Sequence, residues 1–460
     1  MQVVLAGFNV DREVLKDNTK KEVITPETIS AAYARISRSK KSVTALRQLA
    51  LHQVEKARNS NSKIIFDMGH SSIAEHAVFN FDIIGVSRYL VEFIERTRLA
   101  SFTEKSQRYV TLDGDFVIPN EIKNTSLEDD FVKLVEKQNE TYNFLYSKSK
   151  KYLEKTSFKG SKRDLEGKAK EDARYVLCLA TQTQLGMTIN ARSLERLLCR
   201  LDSLDLTEAA VLKAKIEKEI HGIAPSLIKY TNSNNFQKNY LQNVPIFEDN
   251  SHIPQIDLID YDKNGEDKIL AALLFQKNEG LFQNLLKKVK KLSPNEKEKI
   301  FSGVFADMRS YHSVPRCFEL AYFTFQLSLS SSCFGQLKRH RMSTILKCNY
   351  NPKNGYVIPS LLLKIGAGET LKNLMNDVDV LFHKLEEYKA GLGAYILTNS
   401  HRVNVIFHAN LRELYHFSRL RSDKHAQWEI REISLQIDVL VRNLYPFAAK
   451  YLMGKDSFEE

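Results

Sequence analysis

The alternation of apolar and polar positions predicts short strands that lead into helices. An opening strand is indicated by MQVVLAGF at the N-terminus. Period-two alternation followed by a longer apolar run occurs in AVFNFDIIGVSRYLVEFI in the first half and in LAYFTFQLSLSSSCFGQLK in the second. Such a run predicts a strand followed by a helix. Since no regular β-α-β alternation accompanies these runs, we expect an α+β fold with antiparallel strands.

This pattern occurs twice along the chain. The first strand–helix run ends in Arg-Thr-Arg at residues 96–98, and the second ends in Arg-His-Arg at residues 339–341. A further pair of segments, residues 174–196 and 394–416, is also similar, and each contains Asn-x-Arg. Two motifs in the same order, each in similar apolar surroundings, predict an internal duplication.

The boundary between the repeats is predicted from composition. TNSNNFQKNYLQNVPIFEDNSHIPQ combines Asn and Ser clusters with two prolines, which is typical of a loop. After it, IDLIDYDKNGEDKILAALLFQ predicts strand, turn and helix. We therefore expect a first repeat at residues 1–232, a linker at 233–252 and a second repeat at 253–460. Residues 158–172 are interpreted as a further polar insertion.

Composition and charge exclude several classes of protein. Apolar residues make up 43% and charged residues 27%, as in a folded globular protein. No apolar run approaches the roughly 18 residues that cross a bilayer, and no basic leader is present. Five widely spaced cysteines without C-x-x-C favour neither a disulfide framework nor a zinc site, so we expect the cytoplasm.

The net charge of +11 favours an anionic partner without identifying it. The lysine tract at residues 287–291 is interpreted as a solvated helix face, so no nucleic-acid partner is expected. His70, Glu75 and His76 are not spaced to share one helical face, so no metal site is expected there.

The first polar cluster is Glu104-Lys-Ser106-Gln-Arg108-Tyr109. In an extended chain Glu104, Ser106 and Arg108 project from one face. A hydroxyl and a guanidinium side by side suit a phosphate monoester, although an ordinary surface strand has the same pattern.

The second polar cluster, at residues 336–341, contains Gln336 and a run of cations at the end of an apolar helix. Packed cations repel one another unless an anion lies among them. The preceding SLSSSCFG is not a solvent-facing pattern, so we expect more than surface charge, with a salt-bridge hub as the alternative.

The third polar cluster runs from Asn410 to His425. On a helix Arg412 and His416 share a face. Arg421 and His425 share one too if the helix continues, but Ser422 or Asp423 could also begin a new helix as its N-cap. Trp428, the only tryptophan, is expected to anchor the second helix in the core.

Together these motifs resemble the flavin-dependent thymidylate synthases. Residues 96–98 followed by Ser106 resemble the R-H-R-x7-S signature, and Gly69-His70 with Glu75-His76 resembles the preceding G-H-x4-E-H. Residues 410–429 are similar to the family's C-terminal flavin and nucleotide segment. The resemblance covers most of both halves and implies two tandem copies of that fold, an antiparallel sheet with packed helices.

The first repeat departs from the family pattern in the R-H-R run and in the L-R-x-D-x-H run. It keeps Glu104, Ser106 and Arg108, but Thr97 stands where the signature has histidine and Phe93 where it has glutamine. Its counterpart of the L-R-x-D-x-H run, residues 200–205, lacks the histidine.

The second repeat departs from the family pattern at the positions of the signature serine and of the nucleotide-binding arginines. It keeps the R-H-R run, but Asn349 takes the serine position and Asn351 the arginine position. It has Ala394 where the first repeat has Arg174, which matches a nucleotide-binding arginine of the family. Because the losses are complementary, we expect one composite site per chain, formed from both repeats either within one chain or across two, and a homodimer that forms a pseudo-tetramer.

The resemblance implies reductive methylation of dUMP to dTMP, with FAD as cofactor and methylenetetrahydrofolate and NADPH as co-substrates. Arg421 and Ser106 are implied at the reacting centre, Ser106 as a binding residue because no general base accompanies it. The residues implied for dUMP are Glu104, Ser106, Arg108, Arg174, Gln336, Arg339 and Arg421. The residues implied for FAD are His70, Arg339, His340, Arg341, Asn410, Arg412, His416 and His425.

Two alternatives remain open from the sequence. The substitutions at Thr97 and Asn349 also fit a non-catalytic flavin- or nucleotide-binding paralogue. The net positive charge alone would fit a nucleic-acid-binding protein.

Overall fold

The structure, a computed structural model, describes residues 1–16, 24–108, 110, 114–156, 158–241, 244–247, 251 and 253–458. Within these residues the strands form two four-stranded antiparallel sheets. The strands of the first sheet are β1 (Gln2–Phe8), β2 (Val78–Ser87), β3 (Ala100–Glu104) and β4 (Gln182–Asn190). The strands of the second sheet are β5 (Ile256–Tyr261), β6 (Tyr322–Ser330), β7 (Thr344–Lys347) and β8 (Arg402–Asn410).

The two sheets have the same strand order, β1-β2-β4-β3 in the first and β5-β6-β8-β7 in the second. Their central pairs also share a register, since Val78 pairs with Asn190 and Tyr322 with Asn410. The main difference is Gly85, whose φ of 73° accompanies a register shift in β2. The predicted α+β fold with antiparallel strands is confirmed.

One helix directly follows β2 and another directly follows β6, as the two apolar runs predict, and the chain forms further helices elsewhere. The helices before the second sheet are α1 (Glu27–Ala34), α2 (Val43–His52), α3 (Val54–Ser62), α4 (Arg88–Ile94), α5 (Ser126–Lys155), α6 (Lys162–Ala173), α7 (Ala191–Asp202), α8 (Thr207–Ile220) and α9 (Asn235–Asn239). Those that follow β5 are α10 (Gly265–Phe275), α11 (Phe282–Val289), α12 (Pro294–Phe305), α13 (Ser331–Leu337), α14 (Ser360–Lys364), α15 (Gly368–Tyr388), α16 (Leu411–Arg421) and α17 (Trp428–Leu444).

Short turns of other helix types connect these elements. A π-helical turn covers Lys63–Asp67. The 3₁₀ turns are Arg12–Lys16, Ile36–Arg38, Ser71–His76, Asn120–Ile122, Arg174–Val176, Arg316–Leu320, Pro352–Asn354, Gly393–Tyr395 and Lys455–Ser457.

The chain divides into two compact units. Unit 1 consists of Met1–Asp249 and Ser360–Thr398, and unit 2 of Asn250–Pro359 and Asn399–Glu460. The segment Ser360–Thr398 thus comes from the sequence of the second repeat but belongs to unit 1. There α15 packs against α5, and α14 packs against α5 and α6.

The core of unit 1 follows the alternation along its central strands. Phe79, Phe81 and Ile83 of β2 are buried, whereas Asn80 and Asp82 between them are exposed. Successive side chains of a strand point to opposite faces, so one face of the sheet faces the core. Helix α7 covers this core with the buried residues Leu194, Leu197, Leu198 and Leu201.

The core of unit 2 is built in the same way. Phe323 and Phe325 of β6 are buried, as are Ile430 and Ile433 of α17. Gly265 begins α10 where a Cβ would lie 1.9 Å from the Tyr445 hydroxyl oxygen, so no other residue fits without a shift. The close approach of these elements therefore depends on a glycine at this position.

Two local expectations differ from the structure. The polar segment at residues 158–172 forms most of α6, which begins with a capping box between Ser161 and Asp164. Trp428 begins α17 as predicted but is only partly buried, because the buried positions of this helix start at Glu429 and Ile430.

The predicted linker contains the short helix α9, and its residues 242–243, 248–250 and 252 lie outside the described part of the chain. The lysine tract at 287–291 is exposed apart from Val289, as a solvated helix face requires. No described helix combines the length and the apolar character that a membrane span needs.

Candidate functional site

The residues predicted to hold a phosphate lie in unit 1, at the end of β3. The strand ends at Glu104, and Ser106 to Arg108 form a turn, so the expected extended chain is wrong beyond Glu104. The Ser106 hydroxyl accepts a hydrogen bond from the Arg108 backbone N–H (3.2 Å), and the Ser106 carbonyl accepts one from Val110 N–H (3.1 Å). A serine side chain that captures a backbone N–H two residues on stabilises such a turn against strand pairing. Tyr109 lies outside the described residues.

Two ion pairs place further residues beside this turn. Arg88 contacts Glu104 at 2.8 Å, and Arg108 contacts Glu171 at 2.5 Å. Arg174 is 4% exposed, and burial lowers the pKa of its guanidinium. The charges of Arg108 and Arg88 lower this pKa further, whereas Glu171 opposes them. Three guanidinium groups near two carboxylates leave an excess positive charge, which suits an anion.

Sequence reasoning missed Arg88 and Glu171. Arg88 is the first residue of α4, and Ser87 before it caps that helix. The available signal was a single cation inside an otherwise apolar strand–helix junction. Glu171 lies in α6, which the S-x-x-D spacing of Ser161 and Asp164 would have predicted as a helix.

The G-H-x4-E-H segment forms the turn Ser71–His76 and its flank in unit 1. His70 is exposed, and its backbone N–H donates to the Ile64 carbonyl (3.0 Å). Glu75 pairs with Arg192, the arginine of the first Asn-x-Arg motif. The glutamate therefore joins two motifs of the first repeat, while His70 presents its ring to solvent.

In unit 2 the structure brings together Gln336, His340 and Arg421. The Arg421 guanidinium donates to His340 Nε2 (3.0 Å), to Gln336 Oε1 (3.2 Å) and to the Gln336 carbonyl (3.1 Å). Helix α16 ends at Arg421, and the next helix is capped by Gln427 rather than by Ser422 or Asp423. The end of α16 is thereby fastened to the end of α13.

His340 is the buried member of this cluster, at 3% exposure. Burial lowers the pKa of its imidazole well below the ordinary 6.5, and the charges of Arg421, His416 and Arg339 lower it further. Since Nε2 accepts from Arg421, the proton of the neutral ring lies on Nδ1, which faces Glu413 Oε1 at 3.4 Å. Burial raises the pKa of Glu413.

The first repeat keeps a reduced copy of this geometry in unit 1. The Arg200 guanidinium donates to the Phe93 carbonyl (3.2 Å) and to the Thr97 hydroxyl (3.3 Å). Phe93 thus takes the place of Gln336, Thr97 that of His340 and Arg200 that of Arg421. The backbone contact is retained, while the amide and the imidazole are lost.

A cavity of about 690 Å³ lies beside α16 in unit 2. Of the residues implied for FAD, Asn410, Arg412 and His416 line it. The Asn410 side chain caps α16 by accepting from Glu413 N–H (2.9 Å), and Arg412 pairs with Glu319 (3.2 Å). Both residues therefore also hold the helix in place.

The remaining residues implied for FAD are more open. Arg339 and His425 are exposed and Arg341 is partly exposed. The His425 backbone N–H donates to Asp423 Oδ1 (2.8 Å). In the substituted segment of the second repeat, Asn351 caps a 3₁₀ turn by accepting from Lys353 N–H (2.9 Å). Within the described part of the chain, no three His, Cys, Asp or Glu side chains group as metal ligands would.

The family described as "Thymidylate synthase complementing protein" matches this chain twice, over residues 21–226 and 257–447. A flavin-dependent thymidylate synthase of Clostridium tetani is 34% identical over 211 residues, 45% of this chain and 82% of its own length. The chain belongs to the flavin-dependent thymidylate synthase family. The two matched regions also confirm the predicted tandem arrangement of that fold.

Two further relatives are similar to this chain over most of their own length and most of its length. A UPF0159 protein of Thermoplasma acidophilum is 24% identical over 445 residues, 86% of this chain and 88% of its own length. A UPF0159 protein of Chlamydia muridarum is 24% identical over 437 residues, 88% of this chain and 82% of its own length.

Among solved structures, one of the flavin-dependent thymidylate synthase ThyX from Helicobacter pylori with FAD and dUMP is 20% identical, with a TM-score of 0.30. That similarity covers 50% of this chain and 100% of the other.

Proposed function

We propose that this member of the flavin-dependent thymidylate synthase family methylates dUMP reductively to dTMP, with FAD as cofactor. Methylenetetrahydrofolate would donate the carbon and NADPH the reducing equivalents. The observation that carries the proposal is the cluster of Gln336, His340 and Arg421, which joins the R-H-R run to the end of α16 beside a cavity. Its buried neutral histidine and fixed arginine form a specific arrangement rather than a run of surface charge.

The residues around this cavity fit a flavin dinucleotide in kind. Arg412 and Arg419 supply cations for phosphate groups, and the exposed ring of His416 supplies a planar contact. We assign FAD to His70, Arg339, His340, Arg341, Asn410, Arg412, His416 and His425. When bound, the flavin supplies hydride chemistry that no side chain of the protein can.

The excess positive charge in unit 1 supports the proposed role of the first repeat in binding dUMP. Ser106, Arg108 and Arg174 would hold the phosphate and Glu104 the sugar. Arg88 adds a third guanidinium to this group, through its contact with Glu104.

The second repeat would contact dUMP through Gln336, Arg339 and Arg421. The hydrogen bonds of Arg421 to Gln336 and His340 fix the position of its guanidinium. A fixed cation beside the uracil would stabilise negative charge on the ring as C6 accepts hydride, which is electrostatic preorganisation.

We further propose that the two repeats, residues 1–232 and 253–460, contribute complementary residues to one nucleotide site, in a homodimer. The support is the sorting of the losses, since the first repeat keeps the phosphate residues and the second keeps the R-H-R run. We place the protein in the cytoplasm because its five cysteines are free thiols.

The test is release of tritium from 5-tritiated dUMP by the purified protein with NADPH and methylenetetrahydrofolate. We expect a yellow protein with activity that Arg108→Ala and Arg421→Ala each abolish, whereas Arg98→Ala, in the degraded run of the first repeat, has a mild effect. Equal loss in all three variants would refute the partition of roles between repeats. Recovery of activity on mixing the two inactive variants would indicate that the complementary residues act across two chains.

A second candidate is a non-catalytic flavin- or nucleotide-binding protein. It is favoured by the loss of the signature serine at Asn349 and by relatives whose name, UPF0159, states no activity. A protein that binds FAD and dUMP but releases no tritium would support this candidate over the enzyme.

A further inference from the structure

The first repeat contains a cavity of about 900 Å³ that the proposed chemistry does not use. One wall consists of Phe93, Arg96 and the C-terminal half of α7. The opposite wall comes from residues 230–240, where the first repeat passes into the predicted linker. All of these residues belong to unit 1. Small-molecule sites have volumes of about 300–1,000 Å³, so the space suits one small ligand.

The segment at residues 230–240 is hydrogen-bonded to α7 and to α8. Ser233 donates from its backbone N–H (2.8 Å) and its hydroxyl (2.7 Å) to Asp202, and Lys213 donates to the Asn232 side chain (2.7 Å). Although burial opposes it, hydrogen bonds from Ser233 and Lys213 lower the pKa of Asp202 to about 2. Glu195 accepts from the backbone N–H groups of Lys229 (2.7 Å) and Tyr230 (3.0 Å), where the segment begins. The wall is therefore a bonded part of the fold.

The lining of the cavity is strongly cationic. Among the described lining residues the one carboxylate is Glu195, which accepts from the Tyr230 backbone N–H of the opposite wall (3.0 Å). No carboxylate among the described residues pairs with Arg96, Arg196 or Arg200. The cations that line the cavity are Arg96, Arg196, Arg200 and Lys238.

Arg200 is the most constrained of these cations. Its hydrogen-bond acceptors, the Phe93 carbonyl and the Thr97 hydroxyl, are both neutral. Burial lowers the pKa of Arg200, and the charge of Arg96 lowers it further. Guanidinium groups held together without a counter-charge bind an anion favourably, most of all a phosphate that takes paired hydrogen bonds.

Aromatic rings complete the lining of the cavity. Phe236 and Tyr240 lie with ring centroids 6.3 Å apart on α9 and the residue after it, and Tyr230 lies earlier in the same wall. These residues are 76%, 59% and 56% exposed, so their ring faces are accessible. Accessible rings beside cations suit a planar base attached to a phosphate, since the flat face of a base stacks on an aromatic side chain.

We propose that this cavity binds a nucleoside phosphate as a non-reacting ligand, with the phosphate against Arg96, Arg196 and Arg200 and the base against the rings of residues 230–240. Phe93 and Thr97 stand where the second repeat has Gln336 and His340, so the cavity lacks the groups assigned to the chemistry. The ligand is therefore bound without being converted. This site goes beyond the proposed function and does not depend on it.

The test is isothermal titration calorimetry of the full-length protein with AMP, ATP, dTMP and dTTP. Adenosine, thymidine and inorganic phosphate are titrated as partial ligands. The variants are Arg196→Glu and Phe236→Ala, both at exposed positions, and the control is Arg38→Glu, an equal charge change elsewhere in the first repeat. We expect at least one nucleotide to bind with an affinity that each variant lowers at least tenfold and the control leaves within twofold. The partial ligands should bind at least tenfold more weakly than that nucleotide.

The proposal would be overturned if none of the four nucleotides bound, or if Arg196→Glu weakened the binding of none of them. A mixed-sequence single-stranded 12-mer that binds through Arg196 at least tenfold more tightly than every nucleotide would replace it with a nucleic-acid site. Tritium release separates this site from the catalytic one, and we expect Arg196→Glu to retain the activity of the wild type. A loss as complete as that of Arg108→Ala would show that the cavity belongs to the catalytic site and would overturn the proposal.

Discussion

At the scale of single residues, a buried side-chain acceptor fixes an arginine near the end of α7 in the first repeat and of α16 in the second. In the second repeat His340 Nε2 accepts from Arg421, and in the first Thr97 Oγ1 accepts from Arg200. A hydroxyl can replace an imidazole nitrogen as acceptor, but it fills less volume and does not titrate. The substitution at Thr97 therefore preserves the position of an arginine while removing a ring from the first repeat.

His340→Thr tests how much the imidazole contributes to the second repeat. At pH 7.5 we expect a loss of about 1–3 kcal/mol in the free energy of unfolding, because a buried ring is replaced by a smaller side chain. The pKa of His340 lies well below 6.5 in the fold, so below pH 6.5 the unfolded wild type takes up a proton that the folded state refuses. The wild type therefore loses stability as the pH falls, by up to about 1.4 kcal/mol per unit, and the variant does not.

The measurement is urea unfolding of both proteins at intervals from pH 7.5 to 5. We expect the stability difference between them to shrink as the pH falls. A difference that stays constant over this range would contradict a neutral, buried His340.

Asp438→Asn should show the opposite dependence on pH. Burial raises the pKa of Asp438 to about 6 from 3.8, although Ser422 and Ser418 donate hydrogen bonds to the carboxylate (2.5 and 2.9 Å). The folded wild type binds an extra proton between these two values and loses that advantage as the pH rises through 6. Relative to wild type, the variant should gain up to about 3 kcal/mol between pH 4 and pH 7. Urea unfolding of both proteins at intervals from pH 4 to pH 7 measures this gain, and a gain as the pH falls would contradict the prediction.

The motifs predicted which residues meet in unit 2 better than in unit 1. Gln336, His340 and Arg421 were each singled out, and the structure joins them. Arg88 was missed because its importance comes from Glu104, which is 16 residues away and is brought close by the fold. No local pattern encodes such a contact, since it depends on how two elements pack.

At the scale of elements, each repeat has a buried glutamate that binds the serine at its strand–helix junction. Glu208 accepts from the Ser87 backbone N–H (2.8 Å) and hydroxyl (2.6 Å). Glu429 accepts from the backbone N–H of Ser330 (2.9 Å) and from its hydroxyl. Burial raises the pKa of Glu208. The two repeats share this serine–glutamate pair, which motif comparison alone did not identify.

Glu208→Ala and Glu429→Ala form a matched pair of tests. Each removes the acceptor of a buried N–H and a buried hydroxyl, and we expect each to cost about 3–5 kcal/mol. Hydrogen exchange with mass spectrometry should show faster exchange in β2 and α4 for the first variant, and in β6 and α13 for the second. The control is Glu55→Ala at an exposed pair with Arg58, which should cost less than about 1 kcal/mol. Unchanged exchange at the junctions would contradict this role.

Element prediction succeeded where the apolar period was long and failed where polar residues hid a helix. The runs that became β2 with α4 and β6 with α13 were identified from alternation alone. Helix α6 was not, because its sequence is polar and only Ala169 to Ala173 include buried positions. A capping signal, rather than periodicity, was the information that the sequence offered there.

At the scale of the whole molecule, unit 1 contains a segment from the far end of the sequence. Leu179 N–H donates to the Leu397 carbonyl (2.9 Å), and the Gln138 side chain donates to the Ile396 carbonyl (3.1 Å). The Tyr395 hydroxyl donates to Glu208 (2.7 Å), so the segment also supports the junction described above. Composition and periodicity did not predict this arrangement, since contacts across some two hundred residues of sequence leave no local trace.

This arrangement predicts that the first repeat does not fold without residues 360–398. Leu392, Ile396 and Leu397 are fully buried, and each contributes roughly 1.5–3 kcal/mol of burial. Their joint loss is comparable to the whole stability of an ordinary domain, about 5–15 kcal/mol. A protein of residues 1–249 should therefore lack a cooperative thermal transition and bind a hydrophobic dye, whereas residues 1–249 joined by a flexible linker to residues 360–398 should unfold cooperatively. A cooperative transition at the same temperature in both proteins would show that the first repeat is complete without the borrowed helices, and that unit 1 owes its stability to its own sheet.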